Sequence, residues 1–80
     1  MTLDTLKKNL RKKGLDARDC TVCNLKDGRA TAPAIMVHHD SEGLYPTNEA
    51  YHAYCIASDY ARKHGFYAEE RGFTQATLIY

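Results

Sequence analysis

The sequence predicts one small α+β domain with the order α-β-β-α-β-β, and three observations lead to it. Two segments place apolar residues at helical spacing, and each runs into a glycine, Gly14 or Gly65. The other stretches read as extended arms around Asp27-Gly28 and Arg71-Gly72, dipeptides suited to tight turns. Finally, 80 residues can hold a single hydrophobic core. Residues 1–80 are therefore read as one domain, an antiparallel or mixed sheet with two helices packed on one face. That arrangement covers both apolar stripes and leaves the opposite sheet face open.

Thr2 caps the first predicted helix, residues 2–13, whose stripe is Leu3, Leu6 and Leu10. Gly14 ends it in a left-handed turn, with Leu15 placed to fold back on the last turn. Residues 19–25 and 29–38 form a predicted hairpin, since both central positions of a type I′ turn need positive φ and Asp-Gly supplies them. Pro33 cannot donate to a ladder, so its strand must be an edge or carry a bulge there. Thr47 caps a second helix over 48–64, whose core face is read as Ala53, Ile56, Ala57, Tyr60, Ala61 and His64. A last hairpin uses 66–70 and 74–80, and no internal repeat emerges from this pass.

The composition, 44% hydrophobic and 26% charged, is that of a globular chain, and no apolar run approaches the length of a membrane-spanning helix. The lysine-rich start lacks the apolar segment of a secretory signal, so a soluble cytoplasmic protein is expected. Three cysteines, Cys20, Cys23 and Cys55, cannot all pair within the chain, and reduced thiols follow. Cys20-Thr21-Val22-Cys23 has the spacing of a zinc knuckle, but in a strand its sulfurs face opposite sides and no second ligand pair follows. No metal or cofactor is therefore expected. His38-His39-Asp40-Ser41 holds the residue types of a hydrolytic site, yet it lacks a nucleophile turn and an oxyanion-stabilising loop. The chain is expected not to be an enzyme.

Two kinds of partner fit what remains. Tyr45, Tyr51 and Tyr54 cluster around the second helix, and with His38 and His39 they form the expected surface for docking onto a larger macromolecule, most simply a protein. By size alone, such a chain fits an accessory or inhibitor protein of a phage or mobile element. The alternative is a small nucleic-acid-binding protein, because residues 1–18 hold six basic residues against two acidic ones. Its contact residues would be Lys7, Lys8, Arg11, Lys12, Lys13 and Arg29. The element order resembles one class of KH domain, but the GxxG loop of that family is missing and no family is assigned. A homodimer, formed through the uncovered sheet face or the edge of the last strand, is a further expectation.

Overall fold

The computed structural model describes residues 1–24, 29–39, 48–72 and 75–80, without the side chains of 23, 24, 29 and 30. Helix α1 spans Leu3–Lys12, strands β1 and β2 span Asp16–Asn24 and Arg29–His38, helix α2 spans Asn48–Lys63, and strands β3 and β4 span Ala68–Arg71 and Ala76–Ile79. The α-β-β-α-β-β order is as expected. The strands form one antiparallel sheet in the order β1-β2-β4-β3. Both helices lie on the same face, where Leu6 and Leu10 of α1 and Ala57 and Ala61 of α2 meet Ala17, Ile35, Val37, Ala68 and Ile79 of the sheet.

The Thr2 hydroxyl accepts the backbone N–H of Thr5 at 3.2 Å and starts α1, with Asp4 in the first turn complementing the helix dipole. At its other end the N–H of Leu15 reaches the carbonyl of Leu10 at 3.2 Å, and that of Gly14 reaches Arg11 at 3.0 Å. This paired ending needs a left-handed residue, and Gly14 supplies it with φ of 87°. Strand β1 then begins at Asp16, three residues earlier than expected, because only one small apolar residue, Ala17, points to the core in Asp16-Ala17-Arg18. Pro33 lies where β2 runs past the end of β4: its pair is Thr21 on β1, while pairing with β4 begins at Ile35. The strand is an edge on that side, so the missing N–H leaves no ladder position empty.

Three expectations are corrected. On α2 the buried residues are Ala50, Ala57, Ser58 and Ala61, whereas Ile56 is 50% exposed and His64 is exposed. The alanines at 50, 53, 57 and 61 do share one stripe, but counting Ile56 and His64 with them turned the inferred face away from Ser58. Arg71 belongs to β3, and the turn that follows is closed by the Gln75 N–H on the Gly72 carbonyl at 3.1 Å. The Asp27-Gly28 turn and the Thr47 cap lie outside the described residues.

The third correction is that the chain does contain a repeat. Helix α2 ends as α1 does, with Phe66 N–H on the Ala61 carbonyl at 2.9 Å, Gly65 N–H on Arg62 at 3.1 Å, and Gly65 at φ of 85°. Leu10-Arg11-Lys12-Lys13-Gly14-Leu15-Asp16-Ala17 thus aligns with Ala61-Arg62-Lys63-His64-Gly65-Phe66-Tyr67-Ala68, with arginine, lysine, glycine and alanine the same at four of the eight positions. In both halves the arginine turns back onto the next strand, Arg11 donating to the Ala17 carbonyl at 2.9 Å and Arg62 to the Ala68 carbonyl at 3.1 Å. Both edge strands thereby have one outward carbonyl satisfied. The halves α1-β1-β2 and α2-β3-β4 are related by an approximate two-fold axis through the Met36–Leu78 pair, where the central strands β2 and β4 cross-pair.

Candidate interaction surfaces

Helix α2 carries Tyr51 and Tyr54 on the flank that faces strand β3. Tyr51 is 56% exposed and Tyr54 half-buried. The Tyr51 hydroxyl is held above its ordinary pKa chiefly by a hydrogen bond with the Cys55 thiol one turn on, and the nearby Glu70 carboxylate adds to the rise. Its ring meets that of His52 edge-on at 6.4 Å. The opposite flank of α2 is used internally: Tyr60 accepts a hydrogen bond from Asn9 of α1 at 2.9 Å, and Lys13 sits over its ring at 4.7 Å. That contact ties the two helices together. Tyr45 lies outside the described residues.

The two histidines separate. His38 is exposed at the end of β2, on the face away from the helices, beside Asp16. His39 turns to the helix side, where it is 8% exposed and its Nε2 lies 2.7 Å from the hydroxyl of Thr77, a fully buried residue. The alternation of the strand puts it there, following Val37 two residues earlier. Its ring is thus largely packed inside the fold. Both histidines line a cleft of about 280 Å³ together with Gly14, Leu15, Asp16, Glu49 and Ala53. Among the described residues no group of three or more His, Cys, Asp or Glu side chains is placed to hold a metal ion.

The basic helix is largely engaged within the molecule. Lys7, whose side chain is only 12% exposed, reaches both oxygens of Asp19 at 2.9 and 3.0 Å, and Lys8 lies 3.2 Å from Asp4. Arg11 and Lys13 have the partners named above, and Lys12 is exposed. The Arg29 side chain is outside those described. Cys20 faces away from the helices, half-buried, and burial pushes its thiol pKa up, which reduces its nucleophilic fraction. Cys55 is also a free thiol.

The sheet face opposite the helices, which the sequence offers only as a dimer surface with no residues assigned, takes its residues from all four strands. Strand alternation puts Asp16, Arg18 and Cys20 of β1 on it, with Ala34, Met36 and His38 of β2, Ala76 and Leu78 of β4, and Glu69 and Arg71 of β3. Tyr67 and Tyr80 exchange backbone hydrogen bonds at 2.8 and 3.0 Å at one end, with their rings 5.0 Å apart. They are 55% and 40% exposed. The signal that finds them is the inward-facing pair Ala68 and Ile79, whose neighbours Tyr67 and Tyr80 must point outward. Each edge of this face carries an acid–arginine pair, Asp16 with Arg18 at 2.8 Å on β1 and Glu69 with Arg71 at 2.7 Å on β3.

No helix among the described residues is long and apolar enough to cross a membrane. Comparison with family models, with curated proteins and with solved structures finds no match to this chain.

Proposed function

We propose that this chain is a non-enzymatic interaction protein that docks onto a larger protein partner through the tyrosine-bearing flank of α2. The observation that carries the reading is Tyr51: a large aromatic side chain more than half exposed, while the equivalent bulk on the other flank, Tyr60, is spent on joining the helices. Tyrosine gives a partner an apolar body and a polar tip, and such anchors supply a disproportionate share of interface energy. His52 and Glu70 beside it give the flank donor and acceptor groups for a polar rim. A protein of this kind acts stoichiometrically, as phage-encoded accessory or inhibitor proteins do, and its free thiols suit the reducing cytoplasm.

The nucleic-acid reading has less support, because a phosphate backbone would have to displace the Lys7–Asp19 ion pair and the Arg11–Ala17 hydrogen bond. Affinity capture with the tagged chain, run beside its Tyr51→Ala variant, tests the preferred reading. A partner retained by the parent and lost by a folded variant is the expected result. Equal capture by both, or capture of nucleic acid alone that is removed by salt, would reject it.

A further inference from the structure

We propose that the groove between α2 and the edge strand β3 receives a lysine or arginine side chain of the protein partner, with Glu70 as its ion-pair acceptor and Tyr51 beside it. This rests on the reading of the Tyr51 flank as a docking surface and names the chemistry that the flank selects. The molecule supplies its own template, because the approximate dyad lays the first half over the second.

Extending the alignment of the two helix endings carries Lys7 onto Ser58 and Asp19 onto Glu70. The strands agree: Asp19 pairs with Ile35 on β2 and Glu70 with Thr77 on β4, each one residue away from the central Met36–Leu78 pair. In the first half a lysine closes the groove. Lys7 reaches from α1 to both oxygens of Asp19 at 2.9 and 3.0 Å, with its own side chain only 12% exposed. In the second half the counterpart of that lysine is Ser58, which is buried and donates its hydroxyl to the Cys55 carbonyl of its own helix at 3.3 Å. Glu70 is exposed, and among the described residues no cation stands within ion-pair distance of it. The neighbouring arginines are committed elsewhere, Arg62 to the Ala68 carbonyl at 3.1 Å and Arg71 to Glu69 at 2.7 Å. One groove thus has its cation built in, and the other presents the matching carboxylate alone.

The surroundings suit a long basic side chain on an extended segment. The Glu70 carboxylate is close enough to Tyr51 to help raise the pKa of that hydroxyl. Tyr51 is 56% exposed, so the methylenes of a lysine or arginine can lie along its ring while the charged head meets Glu70. The backbone adds to this. Tyr67 and Tyr80 exchange both of their hydrogen bonds, so alternation along the antiparallel ladder turns the N–H and C=O of Ala68 and Glu70 away from β4. At Ala68 the edge is closed, since that residue is 4% exposed and Arg62 holds its carbonyl. At the exposed Glu70 it is open, and one donor and one acceptor are available to the segment that carries the basic side chain. A phosphate backbone is a poor occupant, because the carboxylate repels it.

Peptide selection reads this preference directly. The probe is a phage-displayed library of random peptides of about eight residues, selected against the whole chain, with the affinity of selected peptides measured by fluorescence anisotropy. Lysine or arginine should be enriched at one fixed position. Glu70→Gln should weaken the selected peptides by about threefold or more and Glu70→Lys by about tenfold or more, and selection against Glu70→Lys should return aspartate or glutamate at that position. Asp19→Asn, which alters the template groove, should leave their affinity unchanged. Circular dichroism confirms that each variant is folded, as expected for exposed positions. Failure to enrich any peptide, enrichment without a basic residue, or affinities unchanged by Glu70→Gln overturns the inference. Binding lost in Tyr51→Ala but unchanged in Glu70→Gln keeps the docking flank and rejects its basic ligand. Binding weakened by Glu70→Gln but not by Tyr51→Ala rejects the flank and leaves the carboxylate as the site.

Discussion

The repeated helix ending makes a quantitative prediction. Gly14 and Gly65 sit at φ of 87° and 85°, and a methyl group added at either would meet nothing within 4 Å. Replacing either by alanine therefore tests backbone conformation with no steric clash mixed in. Holding an L-residue in the left-handed region costs about 1–2 kcal/mol. The lower entropy of the unfolded alanine chain offsets about 0.4–1 kcal/mol of that. Each variant should lose about 0.8 kcal/mol at the middle of both ranges and at most about 1.6 kcal/mol, set against the roughly 4–12 kcal/mol expected for 80 residues. With a urea m-value of about 1 kcal/mol/M, the midpoint falls by about 0.8 M and by at most about 1.6 M. The two losses should be alike, because both glycines close the same two hydrogen bonds, and they should add in the double variant, because the sites share no partner. Asparagine at either position should cost less than alanine. A neutral result at one glycine and a loss above about 3 kcal/mol at the other would refute the equivalence of the two endings.

Two further outcomes follow from the same structure. Ile56→Ala should shift stability by no more than about 0.5 kcal/mol, whereas Ala57→Leu, in the neighbouring buried position, should cost about 1–3 kcal/mol by overpacking; equal effects in urea titrations would contradict the observed rotation of α2. The carboxyls of Asp16 and Asp4 are held below the ordinary value of 3.8, chiefly by hydrogen bonds from Arg18 and Lys8 respectively. Such groups add stability above the unfolded pKa and lose it as pH falls through the lower folded value, so stability should decline as pH drops below about 4. Asp16→Asn should flatten that decline, and an unchanged slope in thermal melts at stepped pH would reject its share.

The parts of the fold that were legible in the sequence are those where one residue has one physical option. Gly14 and Gly65 stop the helices because only glycine enters the left-handed turn without strain, and Pro33 marks a local edge because it has no N–H to donate. The orientation of α2 was legible only in part: Ala50, Ala53, Ala57 and Ala61 fall on one stripe, the side that the sheet covers, but the larger Ile56 drew the inferred face away from Ser58. Ser58 is tolerated in the interior since its hydroxyl donates to the Cys55 carbonyl at 3.3 Å. Among the residues put forward for docking, Tyr51 and His38 reach the surface, but His39 does not, because strand parity after Val37 turns it toward Thr77. Alternation alone sets Tyr67 and Tyr80 opposite to Ala68 and Ile79, but which of the two sets faces the helices came only with the fold.

The repeat separates what the fold demands from what it leaves free. At the helix endings the two halves agree wherever geometry dictates the residue: an arginine to satisfy the edge carbonyl, a glycine at positive φ, a large apolar residue beyond it, and an alanine small enough to lie fully buried under the helix. On the outward face the equivalent positions part, Asp16 against Tyr67, Arg18 against Glu69, and Cys20 against Arg71. None of these three is needed by the core, and the middle one is an inversion of charge.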